Sequence, residues 1–280
     1  MQKTDYFILK ERYQSVFLKN NIESADFDWI CCEITGKKRS LLPFVNFNDD
    51  EKLKIENAIE QRLKHIPLGY IFNKTNFYGF DFEVSGDVLI PRIDTEFLVE
   101  KLIEEIKTRK TNVSVLDIGT GSGAIAVVVS LLTGVKVTAV EISEKALKVA
   151  KNNAIKNNAK IEFIQSNVFE NIKNRKFDII VSNPPYIETA EIEHLDSEVK
   201  DFEPKLALDG GADGLEYYKR IISEAKNHLN SNGKVFFEIG YNQGEKVPDL
   251  MKNDFKNIEV LKDYDGNDRV VLGEIIWLKN

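Results

Sequence analysis

Asn183-Pro184-Pro185-Tyr186 follows directly on the apolar run Phe177-Asp178-Ile179-Ile180-Val181-Ser182, and it holds the most chemistry of any stretch in the 280 residues. Two consecutive prolines have no N–H, so the backbone here offers carbonyl acceptors without neighbouring donors. The side-chain carbonyl of Asn183 is a further acceptor. Acceptors grouped in this way suit a planar NH₂ group, an exocyclic amine or carboxamide with two hydrogens to donate. Carbonyls aimed at those hydrogens both orient the group and raise electron density on its nitrogen. Tyr186 supplies a flat face for stacking. The same residues also describe an ordinary loop after a buried strand, since Asn-Pro opens turns and Pro-Pro is a rigid spacer.

A second chemical element lies upstream, in Val115-Leu116-Asp117-Ile118-Gly119-Thr120-Gly121-Ser122-Gly123-Ala124-Ile125-Ala126. An apolar strand runs into glycines at alternate positions and then into a helix-forming run, which lets the backbone approach a ligand at a helix N-terminus. The Gly-x-Gly-x-Gly spacing differs from the Gly-x-Gly-x-x-Gly of a dinucleotide fold, which argues against a nicotinamide dehydrogenase. A further strand, Lys136 to Val140, ends at Glu141, 18 residues past Gly123. An acid at about 20 residues is placed to bind ribose hydroxyls. Strand, glycine turn, helix, strand and acid in this order point to an adenosine-type cofactor. Joined to the Asn-Pro-Pro-Tyr strand end, they indicate S-adenosylmethionine, with Gly119, Thr120, Gly121, Ser122, Gly123 and Glu141 as its ligands.

These two elements together resemble the class I S-adenosylmethionine methyltransferases that act on exocyclic or amide nitrogen. Ile90-Pro91-Arg92-Ile93-Asp94-Thr95-Glu96, Glu203-Pro204-Lys205-Leu206-Ala207-Leu208-Asp209-Gly210-Gly211, Glu238-Ile239-Gly240-Tyr241-Asn242-Gln243-Gly244 and Asp263-Tyr264-Asp265-Gly266-Asn267-Asp268-Arg269-Val270 narrow the match. They look like the release factor glutamine N5-methyltransferases, and the resemblance runs from roughly Pro67 to the C-terminus. It implies that the substrate is the glutamine of the Gly-Gly-Gln loop in peptide chain release factors and that S-adenosylhomocysteine is the product; Cys31 and Cys32 are expected as packing residues in a reducing cytoplasm. It also implies a role for Arg92 and Thr95 at the substrate or in a cofactor lid, and for Asn167 and Val168 beside the adenine. Relatives usually carry an acid where this chain has Asn167, so weaker recognition or a compensating contact is expected there.

The elements that must position these residues follow from periodicity. Residues 1–75 show helical spacing, with Ile55, Ile59 and Leu63 four apart and Gly36 and Pro43 as interruptions. Residues 76–90 read as a linking β-hairpin that turns at Ser85-Gly86-Asp87. Residues 91–280 alternate strands (Val113 to Ile118, Lys136 to Val140, Lys160 to Gln165, Phe177 to Ser182, Lys234 to Ile239) with helices. This is the pattern of an α/β, Rossmann-like and mostly parallel sheet, with Ile258 to Lys262 and Arg269 to Ile276 closing it antiparallel. The first turn of the helix after Pro91 has Thr95 as candidate cap.

Composition bounds the alternatives. A formal net charge of −7 argues against duplex DNA as the main partner, because binding there neutralises phosphates with Lys and Arg. The runner-up, an adenine-N6 or other exocyclic-amine nucleic-acid methyltransferase, would need a basic, aromatic recognition region. An inactive binding module is the non-enzyme alternative, and intact glycines, Glu141 and the full tetrapeptide oppose it. The adjacent pair Cys31-Cys32 suits neither a disulfide framework nor a zinc site, so no metal is expected. The most apolar stretch, around Ala124 to Val135, is too short to span a membrane. His65, His194 and His228 are scattered without ligand spacing, and Glu238, in a strand expected to be buried, needs a hydrogen-bonded partner.

Overall fold

The computed structural model describes residues 3–109 and 113–277. It falls into two compact units, one of residues 1–73 with 196–202, the other of residues 74–195 with 203–280. In chain order the elements are α1 (Asp5–Lys19), α2 (Ala25–Thr35), α3 (Asp49–Arg62), α4 (Leu68–Ile71), β1 (Lys74–Phe77), β2 (Phe80–Glu83), α5 (Ile93–Thr108), β3 (Ser114–Ile118), α6 (Ala124–Thr133), β4 (Lys136–Glu141) and α7 (Glu144–Lys156). They continue with β5 (Ile161–Gln165), β6 (Phe177–Ser182), α8 (Ser197–Lys200), α9 (Glu216–His228), β7 (Leu229–Glu238), α10 (Lys246–Met251), β8 (Phe255–Lys262) and β9 (Asp268–Ile275).

The first unit is helical. Asn48 caps α3 in a reciprocal box: its side chain accepts from the Glu51 N–H at 2.8 Å, and Glu51 accepts from the Asn48 N–H at 2.9 Å. The four-residue spacing then buries Ile55 and Ile59 completely, against Phe27, Ile30 and Leu42. Gly36 ends α2 in the left-handed region, and Pro43 sits in a 3₁₀ turn. Cys31 is buried, and burial pushes its thiol well up, as befits a packing residue. Arg62, also buried, pairs with Asp26 at 2.6 Å and with Glu198. Residues 196–202, read in sequence as part of the catalytic region, thus belong to the helical unit.

The second unit is built on a seven-stranded sheet of order β5-β4-β3-β6-β7-β9-β8. The pairs from β5 through β7 are parallel, and β9 runs antiparallel to both β7 and β8. The α5 helix lays Phe97, Leu98, Leu102, Ile103 and Ile106 on one face, together with the apolar α6; α9 buries Tyr218, Ile221 and Ile222 on the other. Each such side chain contributes about 1.5–3 kcal/mol by burial, so covering both faces is what holds the parallel strands. No helix of the described residues is long and apolar enough to cross a membrane.

The hairpin departs from expectation. Its turn is Tyr78-Gly79, not Ser85-Gly86-Asp87, which lies beyond the end of β2 in a turn of its own. A two-residue hairpin turn of the favoured hand needs φ > 0 at both central positions. Gly79 (φ 82°) adopts this freely, and Tyr78 (φ 52°) is held there by Glu96, which accepts from its N–H at 2.6 Å.

Candidate active site

In an open parallel sheet, ligands bind beyond the carboxyl ends of the strands where the strand order reverses. Here that point lies between β3 and β6, which are paired so that Ile118 stands opposite Ser182. The Ser182 hydroxyl donates to the Ile118 carbonyl at 2.7 Å and ties the two strand ends together. The glycine turn and the Asn-Pro-Pro-Tyr tetrapeptide therefore emerge side by side. Between them lies a cleft of about 1120 Å³, counting the space open to solvent. Gly119, Thr120, Gly121, Ser122, Glu141, Asn167, Val168, Asn183, Pro184, Pro185, Arg92 and Thr95 all line it. Gly123 and Tyr186 are not among the residues that line it.

Gly123, at φ 83°, has Ala150 of α7 so close that a Cβ would meet the alanine Cβ at 3.1 Å, so this glycine serves packing. Gly119 and Gly121 also have positive φ, with open space where a Cβ would stand. The turn is held from below. Thr120 donates to Asp117 at 2.6 Å, and burial foremost pushes the Asp117 carboxyl up to about 7, against that hydrogen bond and with the Glu141 charge adding to the rise. Glu141 accepts from the Gly121 N–H and the Ser143 N–H, each at 3.0 Å. Asn153, wholly buried on α7, donates to the carbonyls of Ser122 and Glu83 at 2.9 Å, locking the turn to β2. Asn167 accepts from Arg220 at 2.7 Å and donates to Glu170 at 2.9 Å.

Three of the other motifs brace the tetrapeptide directly, and the fourth, through Arg269, ties to the first. Asn183 donates through Nδ2 to the Thr95 hydroxyl at 3.1 Å. Thr95 is thus no helix cap: the cap position of α5 falls at Arg92, and the threonine side chain turns to the strand end instead. Arg92 pairs with Glu203, and Arg269 pairs with Asp94 and Asp263, both at 3.1 Å. Gln243 donates to the carbonyls of Tyr186 and Gly214 at 3.1 Å, and its own carbonyl accepts from the Gly240 N–H at 3.0 Å. Gly210 and Gly214 press on the tetrapeptide so closely that a Cβ would stand 2.8 Å from the Pro185 carbonyl oxygen and 2.5 Å from that of Tyr186. Burial foremost pushes the Tyr186 phenol well up. Glu238, 1% exposed at the end of β7, is pushed up to about 7 by burial, with Thr95, Arg269 and Asn183 opposing the rise.

Several residues of this site carry no local signature. Asn153, Arg220 and Tyr217 lie on helices in positions that sequence spacing cannot distinguish from ordinary surface or core. Of the histidines, His228 is a satisfied core residue, stacked on Phe169 with its ring nitrogen 3.0 Å from the Arg175 carbonyl.

Known proteins agree with this architecture. The family model described as Methyltransferase small domain matches residues 92–198. The chain is 40% identical to a release factor glutamine methyltransferase of Fusobacterium nucleatum over 91% of its length and 75% of the relative's. It is 38% identical to a release factor glutamine methyltransferase of Geobacter sulfurreducens over 92% of both chains. A methyltransferase crystal structure from Pyrococcus furiosus superimposes with a TM-score of 0.54 over 79% of this chain and 98% of that one; at 22% identity this speaks for the fold alone. With this identity and coverage, the chain belongs to the family of release factor glutamine methyltransferases.

Proposed function

We propose that this protein transfers a methyl group from S-adenosylmethionine to the side-chain amide nitrogen, N5, of the glutamine in the Gly-Gly-Gln loop of peptide chain release factors. One observation carries the reading: Asn183 spends its NH₂ inside the protein, on Thr95, and so keeps its carbonyl oxygen for the cleft. The Pro184 carbonyl beside it receives no hydrogen bond among the described residues. These two acceptors match the two hydrogens of a carboxamide.

The residues of the cleft suit the cofactor. Glu141 is an acid at a strand end for ribose hydroxyls, Gly119 and Gly121 leave the approach open, and Val168 offers an apolar face for a flat base. Asn167 keeps a second lone pair on the oxygen that Arg220 already uses, enough to accept from an adenine amine. When bound, S-adenosylmethionine supplies an electrophilic methyl group on a sulfonium. The protein's share is placement and electrostatics. A carboxamide nitrogen is a poor nucleophile because its lone pair is delocalised. Acceptors at Asn183 and Pro184 favour the arrangement in which that lone pair turns toward the methyl. No strong base is required, since the proton becomes acidic as the nitrogen is alkylated. Asn183 is an orienting group.

The helical unit is the proposed dock for the release factor, away from the methylated loop. A lone glutamine in a flexible loop offers little to recognise, whereas a specific complex covers on the order of 1,200–2,000 Å². Leu18 and Phe44 are 78% exposed and Trp29 is 56% exposed on this unit, the kind of apolar side chain that anchors interfaces. Intact-mass analysis of a release factor incubated with the protein and S-adenosylmethionine, with fragmentation to locate the added methyl, tests the activity. Phe44→Asp and Trp29→Asp test the dock: a raised KM for the whole factor without loss of cofactor binding supports it.

A further inference from the structure

We infer that Glu238 is a positioning residue: it sets the direction of a buried hydrogen-bond relay, from Asn183 to Thr95 to Glu238, and so decides that Asn183 turns its carbonyl oxygen and not its NH₂ toward the substrate. The inference rests on the reading of Asn183 as acceptor for the glutamine amide. An asparagine amide has nearly the same shape when rotated by half a turn, so packing alone does not choose between oxygen and nitrogen. Hydrogen bonding must choose. Rotated, Asn183 would face an NH₂ group with an NH₂ of its own.

The choice is made from behind. Glu238 is 1% exposed, and one of its oxygens, Oε2, receives no hydrogen bond. An ionised carboxylate only accepts, so its polar neighbours must point hydrogens at it. The Thr95 hydroxyl and, more weakly, the Asn183 amide favour its ionised form. The threonine hydroxyl has a single hydrogen; directed to Glu238, it leaves Oγ1 as an acceptor, and Asn183 Nδ2 donates to it at 3.1 Å. The acceptor-only end of the relay therefore propagates outward and leaves Asn183 Oδ1 toward the cleft. The backbone at this point is fixed separately, because Tyr218 donates through its hydroxyl to the Glu238 carbonyl at 2.8 Å. The side-chain charge is thus free to act on orientation without holding up the strand.

The charged and titratable groups around Glu238 are Arg269 from β9, which favours its ionised form, and Asp94 from α5, which disfavours it; Tyr186 and Tyr218 complete the set. With burial as the dominant cause, the group titrates at about 7. Below that pH a protonated Glu238 can donate to Thr95 and reverse the relay. The rate should accordingly rise with pH through neutrality.

The test uses the full-length protein with an intact release factor and S-adenosylmethionine. Glu238→Gln keeps the shape but adds donors, Thr95→Val removes the hydroxyl, and Thr95→Ser restores it. The first two should lower kcat by roughly tenfold or more, while KM for the factor and Kd for the cofactor stay within about threefold. Thr95→Ser should recover most of what Thr95→Val loses. The wild-type kcat should rise through an apparent pKa of about 7, and this limb should vanish in Glu238→Gln. Variants with kcat within about twofold of wild type would overturn the inference, as would a wild-type profile flat across neutrality, or a loss of rate matched by an equal loss of cofactor binding. If Glu238→Gln does not fold, the threonine pair and the wild-type profile decide. Failure of the wild-type protein to methylate the factor would instead overturn the reading beneath, a result distinct from methylation indifferent to Glu238.

Discussion

Replacing Glu141 with alanine separates two jobs that its position combines. The carboxylate accepts from the Gly121 and Ser143 N–H groups at 3.0 Å, so one pair of lone pairs is spent inside the protein. Glu141 lines the cleft, and its remaining lone pairs are the proposed anchors for the ribose hydroxyls. A hydrogen bond to a charged group contributes about 1.5–3 kcal/mol, and the two ribose bonds share one carboxylate, so the total is taken as one such increment at the least. At about 1.4 kcal/mol per factor of ten, cofactor affinity should fall by roughly 10-fold to 150-fold. The loss of two internal acceptors is partly offset at Gly121, whose N–H borders the open cleft and can turn to water. Glu141→Gln serves as the control, since it keeps a carbonyl for one N–H but forfeits the charge. Calorimetric titration with S-adenosylmethionine reads Kd, and a thermal melt of the same samples reads stability. A fall in melting temperature with an unchanged Kd would refute the ribose assignment and leave Glu141 as a support for the glycine turn.

Three further outcomes are expected. Asn183→Ala should lower kcat by about 10²–10³, the usual cost of removing one preorganised polar group, with a much smaller change in cofactor Kd measured by calorimetry; equal losses would make Asn183 a cofactor ligand. Gly214→Ala places a side chain at φ 69° and a Cβ 2.5 Å from the Tyr186 carbonyl oxygen, so a melting temperature lowered by several degrees and reduced turnover are expected, and an unchanged melt would contradict the packing. Asp117 titrates at about 7 in the folded protein, above its ordinary 3.8, so the folded state holds the extra proton between these values. Its contribution to stability is therefore fully present below about pH 4 and is lost as pH rises through 7. In melts at a series of pH values, Asp117→Asn should gain on the wild type as pH rises across that window, and a constant difference would show that the native carboxyl is not raised.

Periodicity and turn chemistry were enough to read the parallel strands, their order along the chain and the antiparallel closing pair from sequence, because alternation and glycine placement are local properties. The two candidate centres were equally legible as segments, since a proline pair and a glycine turn act through backbone that needs no distant partner. The hairpin turn was not, because Tyr78 occupies a left-handed position only by virtue of Glu96, 18 residues away. Nor was the role of Thr95: a threonine in a first helical turn reads as a cap until β6 brings Asn183 to its hydroxyl. The same holds for Glu238, which could be read as a buried polar residue but not assigned a partner, and for Gln243, which carried no signal beyond its motif. Local sequence thus names the groups available for chemistry and the segments that carry them. Which of their atoms are already taken by internal partners follows from the fold, because the direction of a hydrogen bond depends on groups contributed by strands and helices far apart in the chain.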